Sequence, residues 1–317
     1  VSARARADGW LLSPAPPQRL ATLRLLVGGY ATAFLVVRLG GFWSSAELPT
    51  HQWNPVGVLV PLADPPATVT ARAGLLLTIA LGVAFSAGWR WRVTGPAFAL
   101  AFLAVTTFRM SWGHVIHTEH LVAAHVLVLG VASAADVWSL DARAGRCRRE
   151  SGIDGRYGWP VRVMCLAVVV AYVLAGITKL RNGGGEWLTG DVLRNHVAFD
   201  NLRKVLLGDA HSPFGARAVR YDWIFPPMAL ATVVVELGAP VALLGRRWRT
   251  GWVLAAWWFH VGVAALMWIS FPYQLSGIAY AAFFRCERLT EWVVWAARPR
   301  SRHRAGPPTR RPASTTR

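Results

Sequence analysis

Two lysines, nine histidines and a small set of acids are the side chains of this sequence best suited to proton chemistry. Lys179 and Lys204 are the only lysines among 34 basic residues, so the rest are arginines. Arginine stays protonated in proteins and cannot replace a lysine that has to give up its proton. Lys179 lies in YVLAGITKLRNGGGEW, where an apolar run ends. A lysine at a helix C-terminus meets the helix dipole and snorkels, which is its ordinary role. Partial burial beneath Trp187 would instead suit it as a general base. The run Gly183, Gly184 and Gly185 permits a tight turn that folds Glu186 and Trp187 back over the membrane. Tyr172 opens the same segment and is a candidate pocket residue beside Trp187.

Three histidines form a second constellation. His114, His117 and His120 are spaced i, i+3, i+6, with Glu119 beside them. At about 100° per residue they share one helix face. That face suits a metal ligand set, a haem ligand, a proton relay, or histidines hydrogen-bonded at an interface. No carboxylate–His spacing of a known metal motif is present, so no metal is expected. Glu236 and His260 each fall in the middle of an apolar run. Counted inward, both lie at a depth of roughly 15–18 Å. A buried Glu236–His260 pair is expected, either locking two helices or forming a polar floor to a site.

The elements that carry these residues are membrane helices. The chain has 317 residues, is 54% hydrophobic and 16% charged, and carries a net charge of +18. Its apolar residues cluster in runs near 21–39, 71–88, 93–110, 116–135, 160–178, 224–244, 251–270 and 273–285. A crossing helix needs roughly 20 mostly apolar residues. These runs predict an all-α, polytopic transmembrane helix bundle of about eight spans in a cell membrane. Residues 287–297 read as an interfacial amphipathic helix. Basic residues mark alternate turns, such as Arg90 with Arg92 and Arg246, Arg247 with Arg249. By the positive-inside rule, both termini are cytoplasmic and Lys179 faces outward. The reading divides into a cytoplasmic segment 1–19, a helical domain 20–297 with an outer loop 179–223, and a disordered basic tail 298–317. No cleaved signal peptide is evident. Cys147, Cys165 and Cys286 have no disulfide or metal spacing. The basic charge reads as a collar facing membrane lipid, with no nucleic-acid partner.

The run YVLAGITKL…EWLTG resembles the signature of the horizontally transferred transmembrane domain family, the membrane core of vitamin K-dependent gamma-carboxylases. SWGHVIHTEHL followed by DVWSLD is similar to that family's His-containing helix and its WSxD turn. WWFHVGVAALMWISFPY resembles its later His-bearing span, and the first span with Arg24 also fits. The resemblance covers roughly residues 20–285. It implies that Lys179 deprotonates a reduced quinone of the vitamin K or menaquinol type. Oxygen addition then yields a base strong enough to remove the gamma proton of a glutamate. It places the family histidines at His120, with His117 as the alternative, and at His260. The carboxylases carry a large extra-membrane part that binds substrate, and the outer loop 179–223 is not expected to replace it.

The combined expectation is a bacterial membrane enzyme, a quinol-linked oxidation or carboxylation (lyase) type. Lys179, His120 and His260 would be catalytic, and His117, Trp187, Glu236 and Tyr172 would line the substrate site. The alternative is a non-catalytic factor for maturation, export or immunity of a secreted peptide.

Overall fold

The computed structural model describes residues 3–113, 117–147 and 152–290. The tail 298–317, most of the expected interfacial helix 287–297, and His114 lie outside the described residues. His117 sits in the single turn His117–Glu119, and its side chain is also outside them.

The described residues form helices joined by turns and short loops. The elements are α1 (Ala3–Leu11), α2 (Pro17–Val37), α3 (Leu39–Ser45), α4 (Thr68–Ala87), α5 (Trp91–Met110), α6 (His120–Val131) and α7 (Leu140–Arg143). There follow α8 (Gly155–Leu188), α9 (Asp191–Leu206), α10 (Pro213–Ala218), α11 (Phe225–Leu237), α12 (Arg246–Met267) and α13 (Pro272–Leu275). Helices α2, α4, α5, α8 and α12 are long and apolar enough to cross a membrane. Helix α6 is a shorter apolar helix. Two of the expected spans are composite. Residues 224–244 divide into α11 and the 3-10 segment Ala239–Leu243, with Pro240 at the break. A proline lacks the N–H that an α-helix would use there. Residues 273–285 consist of α13 and the 3-10 segment Ile278–Phe283.

Side-chain contacts fix which helix ends lie together. At one end, Asp141 accepts the backbone N–H groups of Arg90 and Trp91 at 2.9 and 2.7 Å, which caps the start of α5. Trp91 Nε1 donates to the Ala132 carbonyl at 2.8 Å, tying in the end of α6. Arg24 is fully buried there and donates to the carbonyls of Ala134 and Trp138. Arg162 on α8 donates to Ser13 at 2.9 Å. Arg249 on α12 donates to the Phe283 carbonyl at 3.0 Å, and Arg19 pairs with Glu287 at 2.8 Å. The first and last described segments therefore meet at this end. At the other end, Arg109 pairs with Glu119 at 2.7 Å.

One continuous core runs through α2, α4, α5, α6, α8 and α12. Outward-facing positions on the long helices stay apolar and exposed, among them Leu76, Leu77, Leu100, Val170, Leu174 and Leu254. Such a belt fits contact with lipid rather than water. The segment expected as the outer loop 179–223 is largely helical. It holds the end of α8 and then α9 and α10, which pack on α11 and α12. Asn201 on α9 donates to the Leu266 carbonyl at 2.9 Å, and its Oδ1 accepts the Ser212 N–H at 2.7 Å.

Candidate functional site

Helices α8, α11 and α12 bring Tyr172, Lys179, Trp187, Glu236 and His260 together. Asp154 caps α8, its side chain accepting the Arg156 N–H at 2.8 Å. The helix then runs without interruption to Gly184, where φ is 52° and ψ is −137°. That left-handed backbone suits glycine and bends the chain. Beyond the bend, Trp187 turns back against α11. It is 6% exposed, packs on Ala229 and Val233, and donates to Thr232 Oγ1 at 3.3 Å. Its ring centroid lies 5.4 Å from Lys179 Nζ, and the Phe259 ring lies 6.0 Å away. Both distances are within cation–π range.

Lys179 Nζ donates to Glu236 Oε1 in a close ion pair. Gly176, one turn earlier on α8, makes the approach of α11 possible. A Cβ there would fall 2.8 Å from Leu237 Cδ2 and 3.1 Å from Glu236 Cβ. Glu236 is buried, and its Oε2 has no hydrogen-bond partner. The expected Glu236–His260 pair is replaced by this one. Similar depth does not decide partners; the facing sides of the helices do, and Lys179 reaches Glu236 with a four-carbon stem.

His260 belongs to an adjoining cluster. Its Nε2 meets the Tyr172 hydroxyl at 2.7 Å, and Tyr172 meets the Tyr280 hydroxyl at 2.5 Å. His260 Nδ1 is buried without a partner. Trp252 packs edge-on against Tyr172 at 5.0 Å, and its Nε1 donates to the Val235 carbonyl at 2.8 Å. Phe259 and His260, neighbours on α12, thus join the two clusters. In the tautomer whose Nε2–H donates to Tyr172, with Tyr172 donating to Tyr280, Nδ1 is a bare acceptor.

His120 stands elsewhere. It opens α6 with an exposed side chain. The contact between His125 Nε2 and the Met164 carbonyl, 3.2 Å, sets the register of α6 against α8. On that register, His120 is level with a point on α8 roughly 15 Å short of Lys179. The histidine of this helix that enters the core is His125, whose Nδ1 meets the Tyr273 hydroxyl at 2.7 Å. Among the described residues, no three His, Cys, Asp or Glu side chains gather as a metal-binding group.

Residues 13–287 match the HTTM domain. The chain belongs to the HTTM family. This domain is the membrane core of vitamin K-dependent gamma-carboxylase-like proteins. No curated protein and no solved structure matches the chain. The HTTM match contains the whole Lys179 and His260 arrangement, together with Gly176, Tyr280, Trp252 and Phe259, which sequence reasoning had not singled out. Gly176 was visible three residues before Lys179 in AGITK; the others carry no local signal.

Proposed function

We propose that this HTTM protein is an integral membrane enzyme in which Lys179 is the general base toward a hydroquinone or a similar lipid-soluble phenol. The observation that carries this reading is the Lys179–Glu236 pair held between Trp187 and Phe259, with two buried acceptors, Glu236 Oε2 and His260 Nδ1, left unpartnered. Buried polar atoms are nearly always satisfied, so empty acceptors ask for donors. A hydroquinone offers two hydroxyl donors on a flat apolar ring, chemistry that would suit these acceptors and aromatic walls. Bound at the site, it would supply reducing equivalents for chemistry with oxygen.

The protein's own residues would handle the proton. In apolar surroundings, a lysine–carboxylate pair holds either two charges or a neutral amine beside a neutral acid. As an amine, Lys179 would accept a hydroxyl proton, and the ammonium formed would be held by the Glu236 carboxylate. The neighbouring Tyr280–Tyr172–His260 chain would orient Nδ1, and Trp187 would exclude water. His120, at the end of α6, has no direct role in this reading.

The charges support one membrane arrangement. The bundle end that gathers Arg24, Arg90, Arg162 and Arg249 would face the cytoplasm, with eight passes and both ends inside. Lys179 would then serve the outer leaflet side. The test is turnover of menaquinol by purified protein in proteoliposomes, together with solvent extraction of co-purified quinone. Wild type should carry quinone and oxidise menaquinol, and Lys179→Ala should lose the turnover. Absence of both quinone and turnover in folded wild type would refute the reading and favour a non-catalytic peptide-maturation factor.

A further inference from the structure

A second polar space lies at the bundle end where α2, α5 and α6 meet the α12–α13 connection. A cavity of about 280 Å³ is lined by Tyr30, Phe34, Arg38, Arg109, Glu119 and Trp268, among others. None of the groups around Lys179 lines it. Its charges are unequally satisfied. Glu119 is 2% exposed; its Oε1 accepts from Arg109 Nη1 at 2.7 Å, while Oε2 is buried with no partner. Arg38 is exposed and has no ion pair among the described residues. It follows Val36 and Val37 on α2, both exposed and apolar, so the cavity opens beside the lipid-facing belt.

The unmet needs have opposite signs. A simple anion would serve Arg38 but would meet the bare carboxylate oxygen of Glu119. A simple cation would serve that oxygen but would meet two guanidinium groups. A zwitterion serves both, with charge-assisted hydrogen bonds at each end. The acceptor at Glu119 also needs an N–H, which a primary ammonium has and a quaternary one lacks. We propose that this cavity binds a phosphoethanolamine head, with its phosphate on Arg38 and its ammonium on Glu119 Oε2. The same chemistry can come from a phosphatidylethanolamine lipid or from the free compound. The position beside the lipid-facing residues favours the lipid.

The test uses full-length protein in micelles holding equal phosphatidylethanolamine and phosphatidylcholine, read by native mass spectrometry. Phosphatidylethanolamine should be retained over phosphatidylcholine by roughly tenfold, the ratio that follows from about 1.4 kcal/mol. Glu119→Gln can still accept from Arg109, and it should erase the preference. Arg38→Ala, at an exposed position, should weaken retention of phosphatidylethanolamine. Lys179→Ala should leave the preference intact, which separates this site from the proposed active site. Free O-phosphoethanolamine, titrated with phosphocholine as the control, identifies a soluble source if it binds while the lipid shows no preference. Equal retention of the two lipids with no O-phosphoethanolamine binding would overturn the proposal. So would a preference that both Glu119→Gln and Arg38→Ala leave unchanged.

Discussion

Removing either partner of the Lys179–Glu236 pair should be costly, and removing both should be mild. The two side chains are unequally buried, Lys179 at 22% exposure and Glu236 at 3%. Lys179→Met leaves a carboxylate with neither solvent nor an ion partner. Breaking a buried pair in this way costs about 3–5 kcal/mol. Glu236→Leu leaves an ammonium that keeps some access to solvent and to the Trp187 ring. That loss should fall lower, at about 1–3 kcal/mol. The double variant Lys179→Met/Glu236→Leu replaces the pair with apolar groups of similar volume, and such replacements are often neutral. The double-mutant cycle should therefore show a coupling of at least ~2 kcal/mol. Reversible unfolding in mixed detergent micelles measures all four proteins. Additivity within ~0.5 kcal/mol, or a larger loss for Glu236→Leu than for Lys179→Met, would refute the pairing and its burial order.

Three further outcomes follow from the same contacts. Gly176→Leu would place side-chain atoms where Leu237 and Glu236 now lie, so it should part α8 from α11 and reproduce the Lys179→Ala loss of menaquinol turnover in proteoliposomes. Burial works to raise the Glu287 carboxyl, but hydrogen bonds and charge from Arg19 outweigh it and hold it below its usual 4.5. Its stabilising contribution is thus complete above pH 4.5 and is lost as pH falls through the depressed folded value. Glu287→Gln should flatten that part of the unfolding midpoint's pH dependence, measured from pH ~6 to ~3. Single cysteines in a cysteine-free background should report the sidedness. A cysteine at Trp223 should react with an impermeant thiol reagent in intact cells, whereas one at Arg143 should react only after lysis.

The apolar runs were legible because the bilayer demands length and continuity, and both are properties of local sequence. The bend that brings Trp187 over Lys179 was legible for a similar reason, since a glycine run marks backbone freedom. Contacts between helices were less so. Glu236 and His260 share a depth, but partnership depends on which faces meet, and Gly176 decides that by admitting α11 beside Lys179. The face argument for His114, His117 and His120 falls mostly outside the described residues, and His120 opens α6 with an exposed side chain. The buried position falls to His125, which reaches Tyr273 and the Met164 carbonyl. Residues 179–223 read as a loop because they are polar and begin with glycines. DVLRNHVAFDNLRKVL nevertheless folds as α9, because Val197 and Asn201 find cover against α10 and the end of α12. The cover comes from residues far along the chain, so no local window contains it.

Lys179→Arg tests the central claim most directly, because arginine can keep the charge and the pairing with Glu236 but cannot serve as a base at neutral pH. The measurement is the rate of menaquinol oxidation by Lys179→Arg in proteoliposomes, with bound quinone quantified in the same preparation. The account predicts quinone content close to wild type and a rate lower by ~10²–10⁴-fold, the usual contribution of a positioned base. A Lys179→Arg protein that turns over menaquinol at the wild-type rate would contradict it.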